Sequence, residues 1–232
     1  MKNLFILLTV ALLTAVSCTF VHYNGKGGKG KRVVCGGPVE SRSIDGIGDF
    51  SAIVVNGSAD VDFVQGESSA VMVKANAEVF DYLDFKQEDG VLYLQAKDKL
   101  NIVAEEFDIR VTAPSLRSVV INGAADLDIK SGYRSGEDLT MVINGAGDFE
   151  IEGLAVPYFS VTVNGAGDIS VDYMDVESLT VAINGAGEAD LSGRALKADF
   201  SVSGAGAIDA RALVCENVTA HKSGIASIKL RK

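Results

Sequence analysis

Beyond residue 117, apolar residues stand at every second position in short runs, and the runs recur about every twenty residues. Aligned on a recurring Asn-Gly pair, the positions one and three residues earlier are Ile121 and Val119, Ile143 and Met141, Val163 and Val161, Ile183 and Val181, and Val202 and Phe200. Five and seven residues later stand Leu127 and Ile129, Phe149 and Ile151, Ile169 and Val171, Ala189 and Leu191, and Ile208 and Ala210. Side chains of a strand point alternately to its two faces, so the pattern predicts strands with one buried face. Each unit reads strand, tight turn, strand, loop, and no helical periodicity competes with it.

The turn pair is Asn56 and Gly57, Asn122 and Gly123, Asn144 and Gly145, Asn164 and Gly165, and Asn184 and Gly185; degenerate copies follow at Ser203 and Gly204 and at Ser223 and Gly224. The last six copies start 22, 20, 20, 19 and 20 residues apart, whereas 66 residues separate Asn56 from Asn122. Asn and Gly bend the chain at low steric cost. The small residue that follows, Ala124, Ala146, Ala166, Ala186 or Ala205, suits close approach of stacked backbones. Two architectures fit a period near 20 with two strands per unit. Asn-Gly is a hairpin signal, which allows an antiparallel meander. A parallel solenoid instead places each strand on its counterpart one coil away. Near-identical residues at equivalent positions favour the solenoid. Residues 71–113 are less regular and read as larger N-terminal coils of the same domain. At the other end Lys222 takes a position held by Ile or Val in earlier units, and Lys229, Arg231 and Lys232 follow, so this end reads as a charged cap against edge pairing.

The first residues change the picture of where the domain resides. Lys2, an apolar run from Leu4 to Val16 and then Ser17 describe a signal peptide over residues 1–17, too short an apolar run to span a bilayer. Ala15, Val16, Ser17 and Cys18 resemble a bacterial lipobox, which implies acylation of Cys18 and a membrane anchor. Residues 18–37, rich in Gly and Lys, read as a flexible tether, and 38–232 as the β domain. The formal charge of −10 becomes −11 once Lys2 leaves with the leader. Such a chain repels phosphate backbones, which excludes nucleic acid as a partner. Cys35 and Cys215 are the remaining cysteines, too few for a disulfide framework.

The runs Ile121 to Asp126, Ile143 to Asp148, Val163 to Asp168 and Ile183 to Glu188 resemble the head GIN family of auto-transporter adhesin head domains, common in Bacteroidetes. The resemblance spans roughly residues 40–230. It implies a right-handed parallel β-helix with no established catalytic residues, and adhesion as the role.

The same sequence carries few side chains arranged for catalysis or metal binding. His22 and His221 are its two histidines, and neither a Ser-His-Asp set, HExxH, a paired-cysteine metal motif nor a phosphate-binding Gly-Lys-Ser loop occurs. Four residues after each turn Asn stand Asp60, Asp126, Asp148, Asp168 and Glu188. In a parallel stack, Asp126, Asp148, Asp168 and Glu188 form a column at ~4.8 Å rungs. Neighbouring charges would then repel by about 1 kcal/mol even in water. Solvated carboxylates that cap the turn backbone would relieve this, and a bound Ca²⁺ is the alternative. The expected function is therefore a non-enzymatic envelope lipoprotein, a binding, adhesin-like or scaffold domain at the outer membrane, with a protein or glycan ligand. Two other readings compete: a polysaccharide-active enzyme using Asp128, Glu150 and Asp172, and a Ca²⁺-stabilised homo-oligomer.

Overall fold

A computed structural model describes residues 19–20 and 31–231. The expected signal peptide, Cys18 and residues 21–30 of the expected tether lie outside the described residues. The described chain is all-β apart from two short 3₁₀ turns, Ala77–Tyr82 and Lys97–Lys99. Its strands are β1 (Thr19–Phe20), β2 (Arg32–Val34), β3 (Val39–Ser43), β4 (Ala52–Gln65), β5 (Ala70–Asn76), β6 (Lys86–Glu88) and β7 (Val91–Gln95). They continue as β8 (Asn101–Val103), β9 (Phe107–Ala113), β10 (Ser118–Ile129), β11 (Tyr133–Arg134), β12 (Leu139–Ile143), β13 (Phe149–Val163) and β14 (Ile169–Leu230).

Equivalent positions of successive repeats pair in parallel. Asn122 lies on Asn56 in β10 and β4, Ile143 on Ile121 in β12 and β10, and Ile183 on Val163 in β14 and β13. Like sits on like, and the antiparallel meander is excluded for these units. The result is a curled, open sheet. Its inner face carries the residues expected there: Val119, Ile121, Leu127, Ile129, Met141, Ile143, Phe149 and Ile151 are all buried, as are their counterparts as far as Ala210. Burying a Val, Ile, Leu or Phe side chain stabilises by roughly 1.5–3 kcal/mol, so a one-residue slip would lose that for every strand at once. The alternation therefore holds the register.

The N-terminal part departs from expectation. The 66 residues between Asn56 and Asn122 are not larger coils stacked in sequence order. Here β4 lies in the middle, with β10 on one side and β7 and β9 on the other. The chain thus leaves β4, builds outward, and returns past it to begin β10. Beyond β9 the pairing turns antiparallel, through β5 to β3, and β6 pairs antiparallel with β7. These strands and the 3₁₀ turn at Ala77–Tyr82 cover the N-terminal end of the core, with Val79 fully buried.

The domain also begins before residue 38. Within the expected tether, β2 pairs in parallel with β8, and Val33 and Cys35 are buried. Buried Asn76 fixes the same region. Its Nδ2 donates to the Gly37 carbonyl at 3.0 Å, while its Oδ1 accepts from the Glu105 and Glu106 amides at 3.0 and 3.1 Å. No disulfide joins Cys35 and Cys215.

Candidate functional site along the acidic turn edge

The turn sequence brings successive backbones closer than any side chain allows. A Cβ on Gly145 would lie 2.1 Å from the Gly123 carbonyl oxygen, and one on Gly165 would lie 2.0 Å from that of Gly145. The Ala residues bridge in parallel from Ala124 to Ala146, Ala166 and Ala186. Their amides continue the ladder, Ala146 donating to the Gly123 carbonyl at 2.8 Å and Ala166 to that of Gly145 at 2.9 Å.

On one flank of these turns the Asn side chains form a ladder of their own. Asn122, Asn144, Asn164 and Asn184 each donate through Nδ2 to the Oδ1 of the preceding Asn, every time at 3.0 Å. Asn56 donates to Gln95 Oε1 at 3.1 Å, and Gln95 donates to Asp84 Oδ2 at 2.8 Å. All the donors point toward the N-terminal end, where a carboxylate receives the last one. Aligned dipoles of this kind reinforce one another. Ser203 and Ser223 occupy the Asn positions of the last two coils, so the amide ladder ends at Asn184.

On the other flank stand the carboxylates. Asp126 Oδ1 accepts from the Asp148 amide at 2.9 Å, Asp148 Oδ1 from the Asp168 amide at 2.8 Å, and Asp168 Oδ1 from the Glu188 amide at 2.8 Å. One oxygen of each Asp thus ties its coil to the next, leaving the other free for solvent or a ligand. Together with Asp60 and the small turn residues they line an open trough of about 580 Å³. A second trough of about 460 Å³ shares Asp60, Asp126 and Asp148, and adds Asp62, Asp108, Asp128 and Glu150. Among the described residues no three His, Cys, Asp or Glu side chains are gathered in a way that would hold a metal ion.

Of the three acids of the enzyme reading, two stand together and the third lies apart from them. Asp128 and Glu150 are neighbours in register, and Lys130 reaches both, at 2.8 and 3.9 Å. Asp172 accepts from the Ser192 hydroxyl at 2.8 Å. The predicted turn residues and the Asp column, by contrast, come together as one edge. The Asn side-chain ladder was not anticipated; its signal was the recurrence of Asn itself, where Gly or Asp would turn the chain equally well.

Burial, and after it neighbouring charge, moves the titrations on this edge. Burial, opposed by the Asp148 amide and assisted by the charges of Asp148, Asp60 and Asp128, raises Asp126 above its ordinary value. Burial, together with Glu106, also raises Asp108, against the pull of Lys74. At the C-terminal end the fork of Arg211 holds Asp209 at about 2. A raised carboxyl contributes stability that is complete below its ordinary value and is lost as pH rises through its folded value. A lowered one contributes stability present above its ordinary value and lost as pH falls toward about 2. Acidification from neutrality to just above the ordinary Asp range is therefore expected to raise the melting temperature. Asp126→Asn keeps an acceptor for the Asp148 amide, and is expected to raise the melting temperature at neutral pH and to flatten its rise on acidification. A melting curve with the same pH profile in both proteins would contradict this assignment.

Residues 49–232 match the family described as "Putative auto-transporter adhesin, head GIN domain". The chain belongs to this family. Its head GIN domain is similar in fold to several solved structures. One is a "putative lipid binding protein" of Parabacteroides distasonis, at 18% identity and TM-score 0.70, covering 87% of this chain and 100% of that one. A "putative adhesin" of Bacteroides fragilis aligns at 16% identity and TM-score 0.67, covering 85% and 99%. Another "putative adhesin", from Parabacteroides merdae, aligns at 16% identity and TM-score 0.55, covering 87% and 99%. Among curated proteins none matches the chain. At these identities the likeness carries the head GIN fold; what the domain binds has to come from its own surface.

Proposed function

We propose that this head GIN domain is a non-enzymatic, adhesin-like binding module of the bacterial envelope. It is carried on a lipid attached to Cys18 and continues its parallel stack as a right-handed β-helix. The contact surface is the acidic turn edge, and the ligand is a protein or glycan that presents positive charge at regular spacing. One observation carries this reading: Asp126, Asp148 and Asp168 lie on neighbouring coils, each with one oxygen spent on the next coil and one left facing an open trough. A rigid row of like charges complements an extended cationic ligand better than a compact one. The family description as an adhesin head domain agrees with a binding role.

The test is a glycan and protein array probed with the parent chain and with Asp126→Asn/Asp148→Asn/Asp168→Asn. The replaced side chains keep their backbone hydrogen bonds, so the stack stays intact while three charges leave. The expected hits are cationic, weaken as salt rises, and lose about tenfold in affinity in the variant. Hits that bind both proteins equally would place the contact surface elsewhere.

A further inference from the structure

The two ends of the stack are finished differently. The N-terminal end is closed by antiparallel strands, whereas no residue of 214–231, the final coil, is buried. Val214 is 47% exposed, Val218 39%, Leu230 39% and Ile225 86%. Ile225 takes the turn position that Ala holds in the earlier coils. Val214, Val218, Leu230 and Arg231 surround a depression of about 280 Å³ whose floor includes Phe200 and Leu213. The final coil thus leaves inner-side residues such as Val218 and Leu230 exposed to solvent, together with Ile225 at its turn.

The charge of this end is opposite to that of the rest. Residues 214–232 contain Lys222, Lys229, Arg231 and Lys232 against Glu216, a formal +3 in a chain of −10. Asp209, the acid that Lys229 reaches at 3.8 Å, is already held by Arg211 at 2.6 Å. A second copy stacked here would bury Lys222 in the column of Ile and Val side chains, without a partner carboxylate. An anionic lipid surface meets both features: its headgroups pair with the cations and its acyl boundary accepts the apolar side chains. The acidic remainder of the molecule would be repelled from such a surface, leaving this end to face it.

We propose that the final coil docks on anionic membrane lipid, with Lys222, Lys229 and Arg231 meeting headgroups and Val218, Ile225 and Leu230 entering the boundary below them. The chain has no Trp, so the full-length protein carrying Ile225→Trp has a single indole that reports on its own surroundings. Anchoring through the N-terminus does not change that signal. Emission is read with phosphatidylcholine vesicles, with and without phosphatidylglycerol, and quenching with brominated acyl chains. The expected result is a blue shift and quenching with phosphatidylglycerol only, lost at raised salt and in Lys222→Glu/Lys229→Glu/Arg231→Glu. Leu230→Trp is a second reporter with the same expectation. Tyr173→Trp, at an 81% exposed site in an earlier coil, is expected to stay unchanged. No shift at either C-terminal reporter overturns the proposal, as does an equal shift without phosphatidylglycerol or at Tyr173→Trp. A shift that depends on protein concentration in vesicle-free buffer would assign the surface to a second copy and overturn it as well.

Discussion

Alanine at Gly145 is expected to destabilise the domain by about 4 kcal/mol, at the upper end of single-substitution effects. Its Cβ would stand 2.1 Å from the Gly123 carbonyl oxygen and 3.1 Å from the carbonyl carbon and amide nitrogen of the same residue. Over-packing ordinarily costs ~1–3 kcal/mol because a side chain can turn away. Here the obstacle is backbone. The amides of Asn144 and Ala146 hold the coil to the one below, at 2.7 and 2.8 Å, on either side of Gly145. Opening the gap would break those bonds or tilt the whole turn. Gly145 is not among the glycines with positive φ, so the cost is steric and not conformational. For a domain of this size ~1 kcal/mol moves the melting temperature by ~2–4 °C, so a loss on the order of 12 °C is expected. Gly136→Ala is the matching control, because a Cβ there meets nothing within 4 Å. It is expected to change stability by about 0.5 kcal/mol or less. Equal melting of the two variants would mean that the coils are not in this contact.

Tyr133→Phe is expected to cost about 3 kcal/mol. Tyr133 is fully buried, and its hydroxyl serves both polar groups of one residue. It accepts from the Leu116 amide at 2.7 Å and donates to the Leu116 carbonyl at 2.9 Å. Phe retains the ring and its edge-on contact with Phe63, at 5.9 Å between centroids and 77° between planes. What is lost is the hydroxyl, and two buried backbone groups are left without partners, at ~1–3 kcal/mol each. Leu116 begins the approach to β10, the strand where the chain returns past β4. The expected loss therefore falls on the step that joins the N-terminal excursion to the regular stack. Thermal melting of the variant measures it. A change of less than about 1 kcal/mol would show that the Leu116 groups find other partners.

The inward columns were legible in the sequence because burial acts on every second residue and recurs with the coil. Val119, Ile121, Leu127 and Ile129 could be placed, and their counterparts followed from the Asn-Gly alignment. The order of strands around β4 could not be placed this way. A period identifies which residues are equivalent, but it does not say on which side of β4 the intervening chain pairs. Nor does it mark β3, β5 and β6 as antiparallel, since their alternation is the same as that of a coil. The start of the domain was hidden by composition: Gly and Lys residues surround Val33 and Cys35, whose burial depends on β8, about seventy residues away. At the turn edge the carboxylate column was legible from register alone. That each Asp accepts the next coil's amide depends on turn geometry, which the residue types do not determine. The Asn ladder belongs with it: an amide both donates and accepts, so a column of Asn can link coil to coil where a column of Asp must reach for backbone.

The proposed adhesin-like role requires that the acidic edge reach a ligand outside the cell. The most direct measurement is protease treatment of intact cells expressing the chain, beside a periplasmic control protein. Cleavage of this protein with the control untouched is the expected result. Protection of both until the cells are lysed would contradict it and assign the domain to the interior of the envelope.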